Sequence, residues 1–443
     1  MMMLRGVPLA GFSTVYSYWA ALAGYDGPKW DRLKTKADED EVLSLQDEKG
    51  GTVMHWALSN DSTARLAAVI AARDACRVTD RQDLDGYAPL HLAAQNGLEA
   101  LALALVAAGA DTAAKNSDGD NPLHLALGKG HGALVLALVA AGADKDDKNQ
   151  KGQTPLFLAA YNGDEAVAVA LLEAGVDKNA KTKAGNTPLL LAVNKRLEAL
   201  ALALVKAGAD IDAKNDNGVT PLLQAAYQGP EAMALALLAA GADMHAKTND
   251  GYTPLLQASR QGHEALALAL IAAGADHEEK DADGNTPLLL SVYNGREALA
   301  LALVAAGADK DVAAKAGDTP LLLAARKGLE NLALALVAAG ANADALNKAG
   351  DTSLLLAAKN GLEALGMALV EAGADKEAKN KAGDTPLLLA ARKGLEALAR
   401  ELVAAGADKD AKNKLGDTPL TMAGFSGNAA LVALLSSQGV QIK

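Results

Sequence analysis

A period of 33 residues governs most of this 443-residue chain. Proline, usually within Thr-Pro-Leu, recurs at that step from Pro89 to Pro419, and Ser353 takes its place once. No residue is inserted between the first and last of these positions, so the period defines eleven units. Self-similarity at a fixed period of about 20–50 residues indicates a repeat protein, in which each unit packs only against its neighbours.

The residues within one unit predict two helices and a loop. In the tenth unit, Thr385 is a favourable N-cap and Pro386 suits the first helical position. Gly394 is suited to end this helix in a left-handed conformation, and Gly406 to end a second helix. Glu396 lies in the first turn of that second helix, where the helix dipole favours a negative charge. The polar residues that follow predict an extended, turning loop into the next unit.

This pattern resembles the ankyrin repeat, a 33-residue unit with a β-turn, two helices and the signature T-P-L-H-x-A. The resemblance covers the chain from about residue 51 to its end. It implies an all-α repeat solenoid of helix-turn-helix units joined by β-hairpin loops, with a concave groove lined by loops and first helices. It also implies that the protein binds other proteins and carries out no chemistry of its own.

Three segments are expected along the chain. Residues 1–50 are interpreted as an aromatic-rich, helical N-terminal extension or cap, and residues 51–443 as the repeat array. Within the array, residues 51–83 form a degenerate first repeat and residues 84–443 form eleven regular repeats, the last of them a polar C-terminal cap. Three aromatic side chains at helical spacing are predicted to dock the extension on the first repeat: Phe12, Tyr16 and Trp19.

The role of residues 1–24 stays open between a structural element and an organelle-targeting or signal segment. Hydroxyl residues interrupt its apolar stretch, which disfavours a secretory signal. No stretch of the chain reaches the roughly 18 apolar residues that span a bilayer. A cytoplasmic or other intracellular location is therefore expected, and an organellar one if residues 1–24 act as a targeting segment.

Charge and motifs argue against several classes of function. A formal net charge of −12 disfavours nucleic acid as the main partner, because binding of the phosphate backbone depends on clustered lysine and arginine. The seven histidines show no metal-ligand spacing, and the acidic residues recur with the period, whereas a catalytic pair should be unique. We expect no enzymatic activity, no metal site, no cofactor and no small-molecule substrate.

The histidine of the T-P-L-H signature is present in only part of the array. Among the regular units it occurs at His91 and His124, whereas later units carry phenylalanine or leucine there. The resemblance implies that these two histidines are structural and tie neighbouring loops together by hydrogen bonds. The later units are expected to replace that tie by apolar packing between neighbouring first helices.

A row of aromatic and basic residues at the ends of the first helices predicts a partner-binding groove, since tyrosine and arginine are enriched in binding hot spots. The candidates, including one loop tyrosine, are Tyr161, Tyr227, Tyr252, Arg260, Tyr293, Arg326, Lys359 and Arg392. The alternative is a solvated face, in which Asp318, Asp351 and Asp384 pair with the cations eight residues later. Such exposed pairs contribute little, roughly 0–1 kcal/mol.

The second helices lack the outward-facing charges of an ordinary ankyrin unit. In the segment LEALALALVAAGAD those positions are Ala100, Leu103 and Ala107, on the side of the helix opposite Leu101 and Leu105. The middle position carries a large apolar residue in nine consecutive units, and we call this row the convex stripe. Its members are Leu103, Leu136, Val169, Leu202, Leu235, Leu268, Leu301, Leu334 and Met367.

Two interpretations of the convex stripe are open. In the first, Ala102 and Ala104 underfill the inner face, so the helix rolls and draws Leu103 partly between its neighbours. In the second, another protein or a second copy of this chain covers the stripe. If each residue exposes a few tens of Å², the total of several hundred Å² equals or exceeds the largest apolar patch usual for a monomer.

The sequence therefore predicts a non-enzymatic protein–protein interaction scaffold. The first form of this prediction is a structural subunit of a larger stable assembly, held through the convex stripe, the groove or both. The alternative is a free adaptor or effector that captures peptides or proteins in the groove. The expected partners are one or several proteins, or further copies of this chain. An isolated subunit should self-associate, whereas a free adaptor should be a soluble monomer.

Overall fold

A computed structural model describes residue 80 and residues 82–436 of the chain. This part contains 22 α-helices of seven to nine residues and no β-strand. The all-α repeat fold predicted from the 33-residue period is confirmed. The predicted N-terminal extension, with Phe12, Tyr16 and Trp19, and nearly all of the degenerate repeat lie outside the described residues.

The described residues form two compact units, of which the first ends at Asp216 and the second begins at Asn217. The helices of the first unit are α1 (Pro89–Gln95), α2 (Glu99–Ala107), α3 (Pro122–Gly128), α4 (Gly132–Ala140), α5 (Pro155–Asn162), α6 (Glu165–Glu173), α7 (Pro188–Lys195) and α8 (Glu198–Lys206). Those of the second unit are α9 (Pro221–Gln228), α10 (Glu231–Ala239), α11 (Pro254–Gln261), α12 (Glu264–Ala272), α13 (Pro287–Tyr293), α14 (Glu297–Ala305), α15 (Pro320–Lys327), α16 (Glu330–Ala338), α17 (Ser353–Asn360), α18 (Glu363–Glu371), α19 (Pro386–Lys393), α20 (Glu396–Ala404), α21 (Pro419–Ser426) and α22 (Ala429–Ser436).

The first helices begin and end where the repeated residues predict. In α19, the Thr385 hydroxyl oxygen accepts a hydrogen bond from the N–H of Leu388 at 3.3 Å, and Pro386 is the first helical residue. Gly394 ends the helix with φ at +75°, a left-handed conformation that glycine adopts without steric cost. The threonine cap, the proline start and the glycine stop are thus confirmed.

Each unit is built by packing between neighbouring repeats. Within a unit, a first helix packs on the second helix of its own repeat and on the first helices before and after it, and second helices pack on second helices. In α2, Leu101, Ala102 and Leu105 are buried, and the corresponding residues of every later second helix up to α20 are buried too. The middle position is alanine or glycine in all of these helices except α4, which has Val135, and a small residue there lets neighbouring second helices approach closely.

The loops between repeats are closed turns that stack on one another. In the last hairpin, the Asn413 carboxamide oxygen accepts the backbone N–H of Asp417 at 3.0 Å, which closes the turn. The Asn413 amide donates to Asp384 of the previous hairpin at 2.9 Å, and the Lys414 N–H donates to the carbonyl oxygen of Ala382 at 3.0 Å. Side-chain turns and single backbone bonds therefore hold the predicted hairpins, without strands among the described residues.

The two signature histidines tie neighbouring loops together, as expected. The backbone N–H of Ala88 donates to Nδ1 of His91 at 3.0 Å, so Nε2 carries the proton that faces the Asp120 carbonyl oxygen at 3.2 Å. His124 repeats this arrangement, with its Nε2 3.2 Å from the Asp147 carbonyl oxygen. Burial lowers the pKa of both histidines below the ordinary 6.5, because the interior disfavours the charged imidazolium.

These lowered pKa values predict acid sensitivity in the first two regular repeats. An unfolded histidine takes up a proton as the pH falls through 6.5, whereas the folded one stays neutral until its lower pKa is reached. The unfolded state then binds more protons, so stability present above pH 6.5 is lost as the pH falls below it. The double variant H91L/H124L should lose part of this pH dependence, and should cost about 1 kcal/mol per lost hydrogen bond at neutral pH.

The measurement is urea unfolding at pH 7.5 and pH 5.5, followed by circular dichroism. The control is His245→Leu, because His245 is exposed and outside the signature. The control should keep the full pH dependence of the parent chain. An unchanged pH dependence in H91L/H124L would contradict the attribution of acid sensitivity to these two histidines.

Candidate protein-binding surfaces

The structure places the convex stripe at the surface of both units. In the first unit, Leu136 and Leu202 are exposed, and Leu202 retains 50% of its accessible surface. In the second unit, Leu268 and Leu301 are exposed. The remaining members are half-buried: Leu103, Val169, Leu235, Leu334 and Met367. Each side chain of the stripe is therefore partly covered by the protein, and part of its surface still faces outward.

The positions beside the stripe are more exposed than the stripe itself. Ala100 and Ala107 are both exposed, and so are their equivalents in the other repeats through α20. In the second unit, α10, α12, α14 and α16 follow one another with no ionisable side chain on this side beyond the glutamate of the first turn. The outer side of these four helices is thus uncharged and consists mainly of alanine, leucine and valine.

The first-turn glutamate of the second helices caps the following repeat. Glu363 at the start of α18 accepts the backbone N–H groups of Ala397 and Leu398 in α20, at 2.7 and 3.1 Å. Glu231 and Glu330 make the same bond, and Glu165 makes it within the first unit. N–H groups of the first helical turn lack partners within their own helix. The first-turn glutamate of these helices therefore serves repeat stacking.

Cations from the next repeat cover two of the three exposed tyrosines predicted for the groove. The Lys195 ammonium lies 4.6 Å from the centre of the Tyr161 ring, and the Lys327 ammonium lies 4.9 Å from the centre of the Tyr293 ring. Both tyrosines stay exposed, Tyr293 at 61%. Cation–π contacts of this kind contribute about 0.5–1 kcal/mol at exposed sites. Tyr227 is also exposed.

The structure brings two other predicted groove residues into direct contact. Arg260 donates from Nη1 to the Tyr252 hydroxyl oxygen at 2.7 Å, and its guanidinium carbon lies 5.4 Å from the centre of the tyrosine ring. The pair joins the loop before α11 to the end of that helix, eight residues later. It holds an aromatic ring and a cation side by side at the surface.

The alternative interpretation of the basic residues holds in part. Arg326 lies 2.8 Å from a carboxylate oxygen of Asp318, and Arg392 lies 3.6 Å from one of Asp384. Lys359 is exposed, and no ion pair joins it to Asp351 among the described residues. Arg326 and Arg392 thus combine a structural pairing with an exposed guanidinium.

Sequence analysis missed the residues that connect one repeat to the next on this side. Lys195 and Lys327 each follow the tyrosine that they cover by 34 residues. Asn294 and Asn360 reach back by the same step or one more, and donate to carbonyl oxygens of the preceding first helix, at 2.9 and 3.0 Å. A spacing of 34 or 35 residues, one or two beyond the period, is the signal that could have identified them.

Two features are absent from the part of the chain that the structure describes. Between residues 82 and 436, no group of three or more histidine, cysteine, aspartate or glutamate side chains is arranged to hold a metal ion. No helix in this range has the length and apolar character needed to cross a membrane.

The helix pairs, the capped first turns and the stacked hairpins define a protein of repeated helix-turn-helix units. The family model described as ankyrin repeats in three copies matches residues 90–182, 171–248, 222–314, 302–380 and 354–443. The chain therefore belongs to the ankyrin-repeat family. Members of this family are generally protein–protein interaction modules, typically binding scaffolds without enzymatic activity.

The solved ankyrin-repeat domain of Bcl-3, described as a unique member of the IkappaB protein family, is similar at 32% sequence identity, with a TM-score of 0.42. The similarity covers 46% of this chain and 94% of that domain. A search of curated protein sequences gave no match.

The glutamate caps can be tested within one helix. Glu363→Ala removes the acceptor for two N–H groups of α20 and should destabilise the array by about 1 kcal/mol, the usual cost of losing an N-cap. Glu371→Ala is the matched control, because Glu371 is exposed and lies at the other end of the same helix. The control should change stability by less than about 0.5 kcal/mol. Equal losses in thermal unfolding would count against the inter-repeat cap.

Proposed function

We propose that the chain is a protein–protein interaction scaffold that associates through its convex stripe as a structural subunit of a larger assembly. One observation carries this proposal: α10, α12, α14 and α16 carry an uncharged outer side, while their first-turn glutamates are turned toward the next repeat or half-buried. Large exposed apolar patches on soluble proteins mark interaction sites. A surface helix that stayed in water would ordinarily carry charges there.

The stripe is suited to a rigid partner surface. Its apolar side chains recur in nine consecutive repeats and are flanked mostly by exposed alanines, so a partner meets a regular row of small apolar projections. Interfaces of stable assemblies are enriched in apolar area at their centre and depleted of charge. The half-burial of five stripe residues also limits the side-chain entropy lost when a partner covers them.

The first test replaces three exposed stripe leucines, in the variant L202K/L268K/L301K. The parent chain should self-associate in light scattering, because its stripe has no partner to cover it. The variant should become monomeric and keep its helical circular dichroism and melting temperature, since lysine can extend its charge into water from a half-exposed site. The co-purifying proteins of the native source, identified by mass spectrometry, should be lost in parallel.

The matched control places the same substitution at exposed leucines of the hairpin loops, in L84K/L346K/L415K. These leucines are at least as exposed as those of the stripe, so the chemical change is equal and only the location differs. The control should associate as the parent does. Unfolding of the stripe variant would favour the rolled-helix interpretation, and a monomeric parent would favour a free adaptor.

Capture of a peptide in the groove is the second candidate function. The exposed tyrosines at the ends of α5, α9 and α13, with their neighbouring cations, favour it. Tyrosine supplies a large contact area at a small cost in side-chain entropy, and cations beside the ring add polar contacts.

Peptides selected on the immobilised chain from a random display library test this candidate. The variant Y227A/Y293A should weaken their binding by about 30-fold, corresponding to about 2 kcal/mol, because truncation of an interface hot spot costs this much or more. The variant Y227F/Y293F keeps the rings and should bind within a few-fold of the parent. Equal loss in both variants would show that the rings do not supply the affinity.

A further inference from the structure

Charge is distributed unevenly between the two sides of the last four repeats. Their hairpins and first helices, in residues 313–327, 346–360, 379–393 and 412–426, contain eleven lysine and arginine residues against four aspartates. All eleven cations are exposed: Lys315, Arg326, Lys327, Lys348, Lys359, Lys379, Lys381, Arg392, Lys393, Lys412 and Lys414. A chain with a net charge of −12 thus presents a basic face here.

The four aspartates of this region face inward. Asp318 and Asp384 are buried, and each accepts a hydrogen bond from the asparagine amide of the following hairpin, at 3.5 and 2.9 Å. Asp417 is half-buried and accepts from Asn413 at 3.1 Å, and Asp351 is half-buried as well. These carboxylates are held within the structure, so the exposed charge of this face is positive.

The hairpin tips of successive repeats stack on one another, and each tip carries a lysine in the same register. Lys414 donates its backbone N–H to the carbonyl oxygen of Ala382, the residue after Lys381, at 3.0 Å. A Cβ atom added at Gly350 would lie 3.9 Å from Cγ of Lys381, so this lysine crosses the preceding tip. Backbone stacking therefore places lysines of successive tips in one row, and an anionic partner complements such a row of positive charge.

Apolar side chains at the end of the same face favour a peptide as that partner. Leu415 is next to Lys414 at the last tip and is 86% exposed, and Phe425 at the end of α21 is 82% exposed. Phe425 occupies the register of Arg392, whose ion pair places it on the side of the hairpin aspartates. Cations beside exposed leucine and phenylalanine suit a chain that carries both carboxylates and apolar side chains.

We propose that the basic face of residues 313–426 binds an acidic peptide segment of a partner protein. The carboxylates of the segment lie along Lys348, Lys381 and Lys414, and an apolar residue of the segment contacts Leu415 or Phe425. This inference rests on the second candidate function, capture of peptides in the groove, and specifies the chemistry of the peptide. It does not depend on the convex stripe.

The test uses the full chain and a fluorescent 20-residue peptide of glutamate and aspartate with two leucines. Fluorescence anisotropy should detect binding at low salt that weakens as salt increases, because exposed charges are screened. The variant K348Q/K381Q/K414Q should weaken binding at least about tenfold. It should keep the melting temperature of the parent, since the three side chains are exposed.

The matched control is K310Q/K376Q/K409Q, with the same change of charge in the loops after the second helices. Lys145, which occupies that register in the first unit, binds the C-terminal carbonyl of α6 at Ala174, on the second-helix side. The control should bind the peptide as the parent does. Equal weakening by both triple variants would overturn the proposal, because only net charge would then matter.

Three further outcomes would also overturn it. Tighter binding of a 20-nucleotide single-stranded DNA than of the acidic peptide would assign the basic face to nucleic acid. Selection of display peptides that need Tyr227 and Tyr293 but contain no acidic residues would leave the groove function intact and remove the acidic specificity. Failure of both the acidic probe and the display selection would remove the groove function itself.

Discussion

Contact between neighbouring repeats is the interaction on which this structure depends. Isolated helices of seven to nine residues are unstable in water, because nucleating a helix costs more than so few hydrogen bonds return. Each pair of helices is folded only because the adjacent pair buries its leucines and alanines. The hydrogen bonds between loops, such as Asn413 to Asp384, have the same role on the hairpin side. Stability in such an array is a sum of repeat and neighbour contributions.

This dependence explains which features the sequence could predict. The cap at Thr385, the start at Pro386 and the stop at Gly394 follow from the local backbone of one repeat, and all three were predicted. Ser353 shows that the proline is not essential, because Thr352 still caps the N–H of Leu355 at 3.3 Å. A local capping signal and burial in the array are enough to start the helix.

The contacts between repeats could not be predicted in the same way. Glu396 was interpreted through the dipole of its own helix, yet the equivalent glutamate of the preceding repeat, Glu363, accepts a hydrogen bond from Leu398 in the next repeat. Lys195 over Tyr161 was missed for the same reason. These contacts depend on the rotation between successive repeats, and a periodic sequence fixes the step along the chain without fixing that rotation.

The candidate surfaces show the same limit to what the sequence can predict. A helical wheel correctly placed Leu202 and Leu235 on the outer side of their helices, but one is exposed and the other half-buried. The exposed area of a residue depends on the side chains packed around it, which a helical wheel does not contain. Position on a face was therefore predictable from spacing, whereas the exposed area was not.

The distribution of charge follows from what each side of a repeat must do. Hairpin aspartates and first-turn glutamates accept hydrogen bonds that hold the repeats together, so most of them cannot also face a partner. Lysine and arginine side chains cannot accept a hydrogen bond from a backbone N–H group, and they remain outside, as they do from Lys315 to Lys414. The outer side of α10, α12, α14 and α16 has neither task and carries no charge beyond the first turn. An acidic chain thus acquires one basic and one apolar surface, and the two use different residues, so each can evolve or be mutated independently of the other.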